Sequence, residues 1–145
     1  MEAKIEQYIQ AMICDQAPDA ILFADRAGNI QLWNRGAEMI FGYTKEEAIG
    51  KQLDLIIPEK LRQRHNDGYI RVISEGISKY CDDLLSVPAL PKDGHALFSD
   101  FSIIMIKDNN GVMQGVAAIM RDSSEQKNKE KELKNQIKQL KAQPE

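Results

Sequence analysis

One histidine lies in a sequence context that suits a ligand-binding side chain. His65 lies seven residues after Pro58 and eleven residues before Gly76. Proline before a helix and glycine after it are common boundary residues, so a helix is predicted over 59–75. His65 falls on one stripe of that helix with apolar or aromatic residues, namely Leu61, Tyr69 and Val72. A neutral imidazole held on the core-facing side of a helix is a good ligand for iron.

Other residue types that could do chemistry form no comparable pattern. Cys14 and Cys81 make no CxxC pair, and the acidic residues that follow Cys81 disfavour a thiolate there. The sequence contains neither a phosphate-binding glycine loop nor a nucleophile motif. His95 lies in a turn, and we expect its side chain to be exposed. The sequence therefore predicts a binding module and not an enzyme.

Length and composition predict one globular domain. The chain has 145 residues, of which 43% are hydrophobic and 28% are charged, and its net charge is −3. Without a concentrated basic surface, we expect no nucleic-acid partner. The longest apolar run, 103–106, is too short to span a membrane, and no secretory signal precedes it. We expect a cytoplasmic protein without a membrane partner, although the cytosolic part of a membrane-attached parent would look the same.

The order of the predicted elements is that of an α+β domain. An amphipathic helix over 2–14 is followed by two strands, short helices, the helix over 59–75 and three further strands. The strands are predicted at Ala20 to Ala24, Ile30 to Trp33, Lys79 to Val87, Ala96 to Lys107 and Val112 to Met120. Asn34 and Thr44 are suited to cap the two short helices. This order predicts a single antiparallel sheet with helices on one face.

Separated motifs resemble those of the PAS domain family. They read Pro-Asp-Ala-Ile at 18–21, Asn-Arg-Gly-Ala-Glu-Met-Ile-Phe-Gly-Tyr at 34–43, Lys-Asp-Gly at 92–94 and Arg-Asp at 121–122. The resemblance implies the PAS fold, a five-stranded antiparallel sheet that cups a pocket. It also implies an N-terminal flanking helix that often mediates dimers and a C-terminal signalling helix. We therefore expect a flanking helix in 1–16, the PAS domain in 17–122 and a helix or tail in 123–145.

The segment from Pro58 to His65 resembles the haem-binding helix of FixL-type oxygen sensors. There the ligand histidine has the same spacing from the flanking proline and glycine, which implies that His65 is the proximal ligand of a b-type haem. Arg71 matches an arginine that contacts a haem propionate in some members. A tyrosine usually stands three residues after the ligand, whereas Tyr69 stands four after His65. If Tyr69 set the register, Asn66 would take the ligand position, and His65 would be a packing residue.

The same resemblance places residues on the distal side of the pocket. Phe101 and Ile103 match its apolar wall, and Ala118 matches a small residue that leaves room for the porphyrin. Leu85 stands where those sensors have an arginine that hydrogen-bonds oxygen. Without that donor, we expect carbon monoxide or nitric oxide to be held better than oxygen. Met105 or Met113 could supply a sixth iron ligand, although methionine in a β-rich core is more often packing.

The sequence also bears on other occupants of the pocket. Leu53 replaces the cysteine that flavin photochemistry of the light-oxygen-voltage type requires, which excludes that chemistry. Binding of FAD would favour a tryptophan in the helical region, whereas Trp33 is on a predicted strand. A small metabolite, or no ligand at all, stays open.

A ligand-free PAS module would dimerise and relay signals through its two ends. The apolar residues there are Ile5, Ile9, Met12, Ile13, Leu133, Ile137 and Leu140. We expect a homodimer that acts on a signalling partner or on an output domain. Whether the chain is a fragment or a standalone protein stays open.

Overall fold

A computed structural model describes residues 2–78 and 84–142 of the chain. The helices within these ranges are α1 (Ala3–Gln16), α2 (Arg35–Phe41), α3 (Lys45–Ala48), α4 (Arg62–Glu75) and α5 (Ser124–Ala142). The strands are β1 (Ala20–Asp25), β2 (Ile30–Trp33), β3 (Leu85–Ala89), β4 (Leu97–Lys107) and β5 (Met113–Asp122). They form one sheet in the order β2-β1-β5-β4-β3, with antiparallel neighbours throughout. The predicted α+β fold with flanking helices at both ends is confirmed.

Several boundaries differ from the predicted ones. Two 3₁₀ turns, Leu53–Ile56 and Glu59–Leu61, precede α4, so the first turn of the predicted helix is 3₁₀. The strand β5 continues to Asp122 because its last two residues still pair with β4. Of the strand predicted at Lys79 to Val87, the described part begins at Leu85 and continues to Ala89. Residues 79–83, Cys81 among them, lie outside the described residues.

Asn34 is the side chain that joins α1, β1 and α2. Its Oδ1 accepts hydrogen bonds from the backbone N–H of Ala37 at 2.9 Å, which caps α2 as predicted, and of Ile21 at 2.8 Å. Its Nδ2 donates to the carbonyl oxygens of Cys14 at 2.8 Å and Asp19 at 3.0 Å. Asn34 is buried, so these bonds satisfy a polar group that would otherwise be costly. The end of α1, the start of β1 and the start of α2 therefore meet at one amide.

The best-buried part of the core lies where β1 and β2 meet α2. Trp33 and Phe41 are fully buried, with ring centroids 5.5 Å apart. The indole Nε1 of Trp33 donates to the carbonyl oxygen of Tyr43 at 3.0 Å, so the polar atom of the ring is satisfied. Trp33 is therefore a core residue.

Strand register divides the sheet into an inner face and an outer face. On the inner face, which the helices α2 to α4 cover, one row joins Leu22, Ala118 and Ile103. The next inner row consists of Ala20, Met120, Phe101 and Leu85. The outer face carries the alternate residues, including the row Ile21, Ile119 and Ser102 and the pair Arg121 and Asp100.

Both terminal helices lack buried residues. The residues of the α1 stripe are all exposed, to 51% for Ile5, 40% for Ile9, 42% for Met12 and 66% for Ile13. In α5 the apolar residues Leu133, Ile137 and Leu140 are also exposed. Among the described residues, no helix combines the length and the apolar character that a membrane span needs.

Candidate ligand pocket around His65

The helix α4 positions His65, and Tyr69 fixes α4 to the sheet. The hydroxyl of Tyr69 donates to the carbonyl oxygens of Ala24 and Asp25, at 2.9 and 2.5 Å, at the end of β1. The helix ends at Gly76, whose φ of 69° is the left-handed conformation that favours glycine. His65 lies one turn before Tyr69, on the same side of the helix.

The imidazole of His65 is half-buried and has a ring nitrogen without a partner. Its ring stacks on that of Tyr69, with centroids 6.2 Å apart. The Nδ1 atom is buried and meets no hydrogen-bonding group within the described ranges. Burial lowers the pKa of His65, and hydrogen bonding to the Asn66 side chain and the charge of Asp54 act in the opposite direction. His65 is therefore predominantly a neutral imidazole near pH 7.

Asp54 is a functional candidate that the sequence reasoning missed. It lies in the 3₁₀ turn Leu53–Ile56, and its Oδ1 atom is buried with no hydrogen-bonding partner among the described residues. Its charge acts on His65, which places the two side chains in the same region. A single carboxylate inside the apolar run Leu53-Asp54-Leu55-Ile56 was the signal that could have identified it.

The four residues predicted to form the distal wall share the inner face of the sheet. Leu85 pairs with Phe101, and Ile103 pairs with Ala118, in adjacent rows. Ala118 is buried, whereas the other three are only half-buried. In the neighbouring row, the Ser99 hydroxyl bonds weakly to the carbonyl oxygen of Val87, at 3.4 Å. The structure thus brings the predicted apolar wall together on one surface.

Other predicted residues lie in different environments. Arg71 is exposed, and its place six residues after His65 puts it on another side of α4. Met105 follows Ile103 on the inner face, in register with Val116, while Met113 is buried beside Gly76 at the end of α4. His95 is exposed and bonded to Asp93, as expected for a turn.

Two clefts open on the surface away from His65. One, of about 720 Å³, lies between the outer face of the sheet and the start of α5. The other, of about 430 Å³, lies between α2 and the turn that carries His95. No cluster of three or more His, Cys, Asp and Glu side chains suited to a bare metal ion occurs within residues 2–78 and 84–142.

The types of residue around α4 are those that a haem site requires. A neutral imidazole with an unpartnered nitrogen lies on the sheet-facing side of α4. The sheet surface on that side is apolar and incompletely covered, because Leu85, Phe101 and Ile103 keep part of their surface exposed. An apolar surface together with one nitrogen ligand is the chemistry that a b-type haem uses.

Comparison with known families identifies the fold. The model of the PAS domain family matches residues 18–125, about three quarters of the chain. The chain belongs to the PAS domain family. A solved PAS domain from Colwellia psychrerythraea superposes with a TM-score of 0.70 at 27% identity, covering 81% of this chain and 96% of that one. This PAS module therefore has the sheet, the N-terminal helix and the C-terminal helix of its family.

Two curated sensors are similar over part of this PAS domain. Sensor protein FixL of Bradyrhizobium diazoefficiens is 45% identical over 53 residues, which are 37% of this chain and 10% of FixL. Oxygen sensor protein DosP of Escherichia coli is 31% identical over 96 residues, which are 66% of this chain and 12% of DosP. The chain spans 10 to 14% of the length of the curated relatives that lead the matches.

Proposed function

We propose that this sensory PAS module binds a b-type haem through His65 and responds to a diatomic gas or to the redox state of the iron. The observation that carries the proposal is the neutral, half-buried imidazole with an unpartnered nitrogen on the sheet-facing side of α4. The partial similarity to FixL and DosP, which are named as sensors, supports it. The domain would bind its ligand without catalysing a reaction.

The chain's own residues would have distinct roles. Haem, when bound, would supply an iron atom with an open position for a gas. His65 would hold the iron, and Tyr69 would fix the height of His65 above the sheet by tying α4 to β1. Leu85, Phe101 and Ile103 would keep the gas side apolar. The exposed Arg71 would be free to approach an acidic edge of the group.

The residue at position 85 would decide between gases. Leucine donates no hydrogen bond, so the partial negative charge of bound oxygen would lack a stabilising partner. The proposed ligands are therefore carbon monoxide and nitric oxide in preference to oxygen. Leu85→Arg, which adds a donor on the same wall, is expected to raise oxygen affinity at least tenfold in a haem-loaded protein, corresponding to about 1.4 kcal/mol. Unchanged oxygen affinity in Leu85→Arg would contradict this assignment.

The first experiment compares absorption spectra of the wild type and of His65→Ala after expression with added haem. A strong violet absorption band that is lost in His65→Ala is expected. His95→Ala, which removes the exposed histidine, serves as the matched control and should keep the band. Asn66→Ala tests the alternative register, in which Asn66 takes the ligand position and haem is excluded. A wild-type protein that takes up no haem would favour a PAS module that binds FAD, a small metabolite or no ligand.

We propose as well that the module forms a homodimer that relays its state through α1 and α5. The exposed stripe of α1 carries this proposal, because four large apolar side chains on one short helix need a partner surface. The exposed Leu133, Ile137 and Leu140 of α5 form a short seam that could continue the pairing. Change at the pocket would reach α5 through β5, which ends two residues before α5 begins.

The dimer is tested by substitution within the α1 stripe. The double variant Ile9→Asp and Ile13→Asp should be monomeric by sedimentation velocity, because the apolar contact would be replaced by repelling charges. Substitution of exposed residues away from the stripe, Gln7→Asp and Gln10→Asp, adds the same charge and should leave the dimer intact. An unchanged dimer in the Ile9 and Ile13 variant would refute the role of α1.

A further inference from the structure

The cleft of about 720 Å³ between the outer face of the sheet and the start of α5 contains polar atoms that nothing satisfies. Ser123 is only 4% exposed and lines the cleft, and its hydroxyl oxygen has no partner among the described residues. Asp100 also lines it, and its buried Oδ1 atom is likewise without a hydrogen bond within those ranges. Two buried oxygens in one cleft leave a desolvation cost that a donor from outside would remove.

The other charged side chains of the cleft are already engaged. Asp19 accepts two hydrogen bonds from Arg121, from Nε and Nη2, each at 3.1 Å. Glu125 pairs with Lys129 at 3.1 Å across one helical turn. Asp122 accepts from the backbone N–H of Ser124 at the start of α5. Asp100 lies opposite Arg121 in the β4–β5 pair and its charge acts on that guanidinium, but its Oδ1 accepts no hydrogen bond among the described residues and can still receive a donor.

The side chains that line the cleft favour a cationic group carried on an apolar alkyl chain. A carboxylate only accepts hydrogen bonds, and the lining has four acidic side chains against two basic ones, so an ammonium or guanidinium group fits best. Beside the polar oxygens the cleft is lined by Ile119 and by Leu84, which is 70% exposed. The alkyl stem of a lysine could cover those apolar residues while its ammonium group reaches Asp100.

The exposed stripe of α1 indicates where such a lysine comes from. Ile5 and Ile13 are equally spaced around Ile9, so the stripe is self-complementary when two α1 helices pack antiparallel about a two-fold axis. In that arrangement position 4 of one helix lies opposite position 14 of the other. Lys4 makes no ion pair with the described residues of its own protomer.

The end of α1 is adjacent to the cleft. The Asn34 amide bonds both Cys14, near the end of α1, and Asp19, which lines the cleft. A lysine beside Cys14 is therefore next to the acidic rim.

We propose that this cleft is an intersubunit site in which the partner's Lys4 binds Asp100 and Ser123. This inference rests on the proposed dimer and does not depend on haem. Two equivalent sites would form about the two-fold axis, each incomplete without the other protomer. The contact would tie the partner's N-terminal helix to the point where β5 passes into α5, so a change in the dimer would act directly on the start of α5.

A charge exchange tests the site, with the dimer dissociation constant measured by sedimentation velocity. Asp100→Lys and Lys4→Asp should each weaken the dimer about tenfold, because each variant places like charges together at both sites. The variant that combines both substitutions should recover an affinity within about threefold of the wild type, since the pair is restored with reversed polarity. Asp67→Lys and Lys51→Asp make the same charge changes at exposed positions away from the cleft and should have no such effect.

The outcomes separate this inference from the proposed dimer. A wild-type dimer that is insensitive to Asp100→Lys, or a charge exchange that restores nothing, would overturn the site and leave the dimer standing. A wild-type protein that is monomeric at every concentration would overturn both, and the haem spectrum would be unaffected. Thermal denaturation of each variant checks folding. If Asp100→Lys does not fold, the isosteric Asp100→Asn replaces it, with a weakening of at least threefold expected.

Discussion

The two halves of this domain differ in how tightly their side chains are packed. Where β1 and β2 meet α2, Ile30, Trp33 and Phe41 are fully buried. Both polar atoms of the buried Asn34 side chain are hydrogen-bonded there. On the other side of the sheet no residue of α4 is buried, and Phe101 and Ile103 of β4 are half-buried, although Ala89 and Leu97 at the far end of β3 and β4 are buried. The first half is closely packed, whereas the second half keeps apolar surface exposed and has buried polar atoms without hydrogen-bonding partners among the described residues.

This difference shows how a small domain can stay folded while part of its core remains incomplete. A tightly packed interior has little room for a guest, because voids larger than a water molecule are few. If this domain binds a cofactor as proposed, the half that contains α4 is the receiving half, and the stability of the fold must come from the other half. Here the division falls between β1 and the strands β4 and β3.

The largest effect is expected in the well-packed half. Trp33→Ala would remove a fully buried indole together with its hydrogen bond to Tyr43, at a cost of about 4 kcal/mol in the free energy of unfolding. Urea denaturation followed by circular dichroism measures the loss, and a variant too unstable to purify folded would agree with it. A loss of less than about 2 kcal/mol would show that this half does not dominate stability.

A smaller effect is expected in the receiving half. Phe101→Ala would cost about 2 kcal/mol in the haem-free protein, because the ring is half-buried and its loss leaves no closed cavity. The same urea titration provides the comparison with Trp33→Ala. Equal losses for the two aromatic residues would break the contrast between the halves. A greater loss for Phe101→Ala in the haem-loaded protein than in the haem-free one would sharpen it.

The hydrogen bonds of Tyr69 that join the two halves should contribute less to the free energy of unfolding than either aromatic ring. Tyr69→Phe removes the hydroxyl that ties α4 to the carbonyl oxygens of Ala24 and Asp25, and about 1 kcal/mol of stability is expected to be lost. Hydrogen exchange should increase in α4 and stay unchanged in β1 and β2. Tyr43→Phe is the control, since the backbone carbonyl of Tyr43 receives the Trp33 bond and that bond survives the change. Uniformly faster exchange throughout the domain would argue that the halves open together.

The smallest effect concerns the pH dependence of the haem-free protein. The folded-state pKa of His65 lies below its ordinary value of 6.5, mainly because of burial. The unfolded chain therefore binds a proton first as the pH falls through 6.5, and stability is lost from there downward until the folded state is also protonated. Above that range His65 has no effect on the pH dependence.

His65→Gln should remove this share of the acid destabilisation, with a gain of under about 1 kcal/mol at pH 5 relative to pH 7.5. Urea midpoints at the two pH values measure the gain. His95→Gln, at the other histidine, is the matched control and should keep the wild-type difference between the two pH values. If the pH dependence of His65→Gln equalled that of the wild type, the imidazole would be solvated in the folded protein.

Local chemistry made much of the fold predictable from the sequence. Asn34 and Thr44 cap their helices as their types suggested, and Glu47 completes the capping box with Thr44. Gly42 and Gly76 end their helices in the left-handed conformation. These interactions depend on neighbours within a few residues, so spacing alone carries the information.

The candidate site was predictable only in part because it depends on contacts between distant segments. Alternation along β4 and β5 was enough to place Ile103 and Ala118 on one face. Asp54 was not identified as a candidate, because its electrostatic effect on His65 depends on the relative position of two segments that are separate in sequence. Asp100 and Ser123 were also missed, since the cleft that they line forms only when α5 leaves the sheet.

The way α1 is attached gives it mechanical properties of its own. A helix of 14 residues is a rigid rod of about 21 Å, and its described side-chain links to the body, from Asn34 and Lys45, lie at its C-terminal end. The Asn34 amide is thus a pivot: a swing of about 10° there would carry the far end of the rod through about 4 Å. Because the same amide holds β1 and α2, torque applied anywhere along α1 is delivered to the best-packed part of the domain.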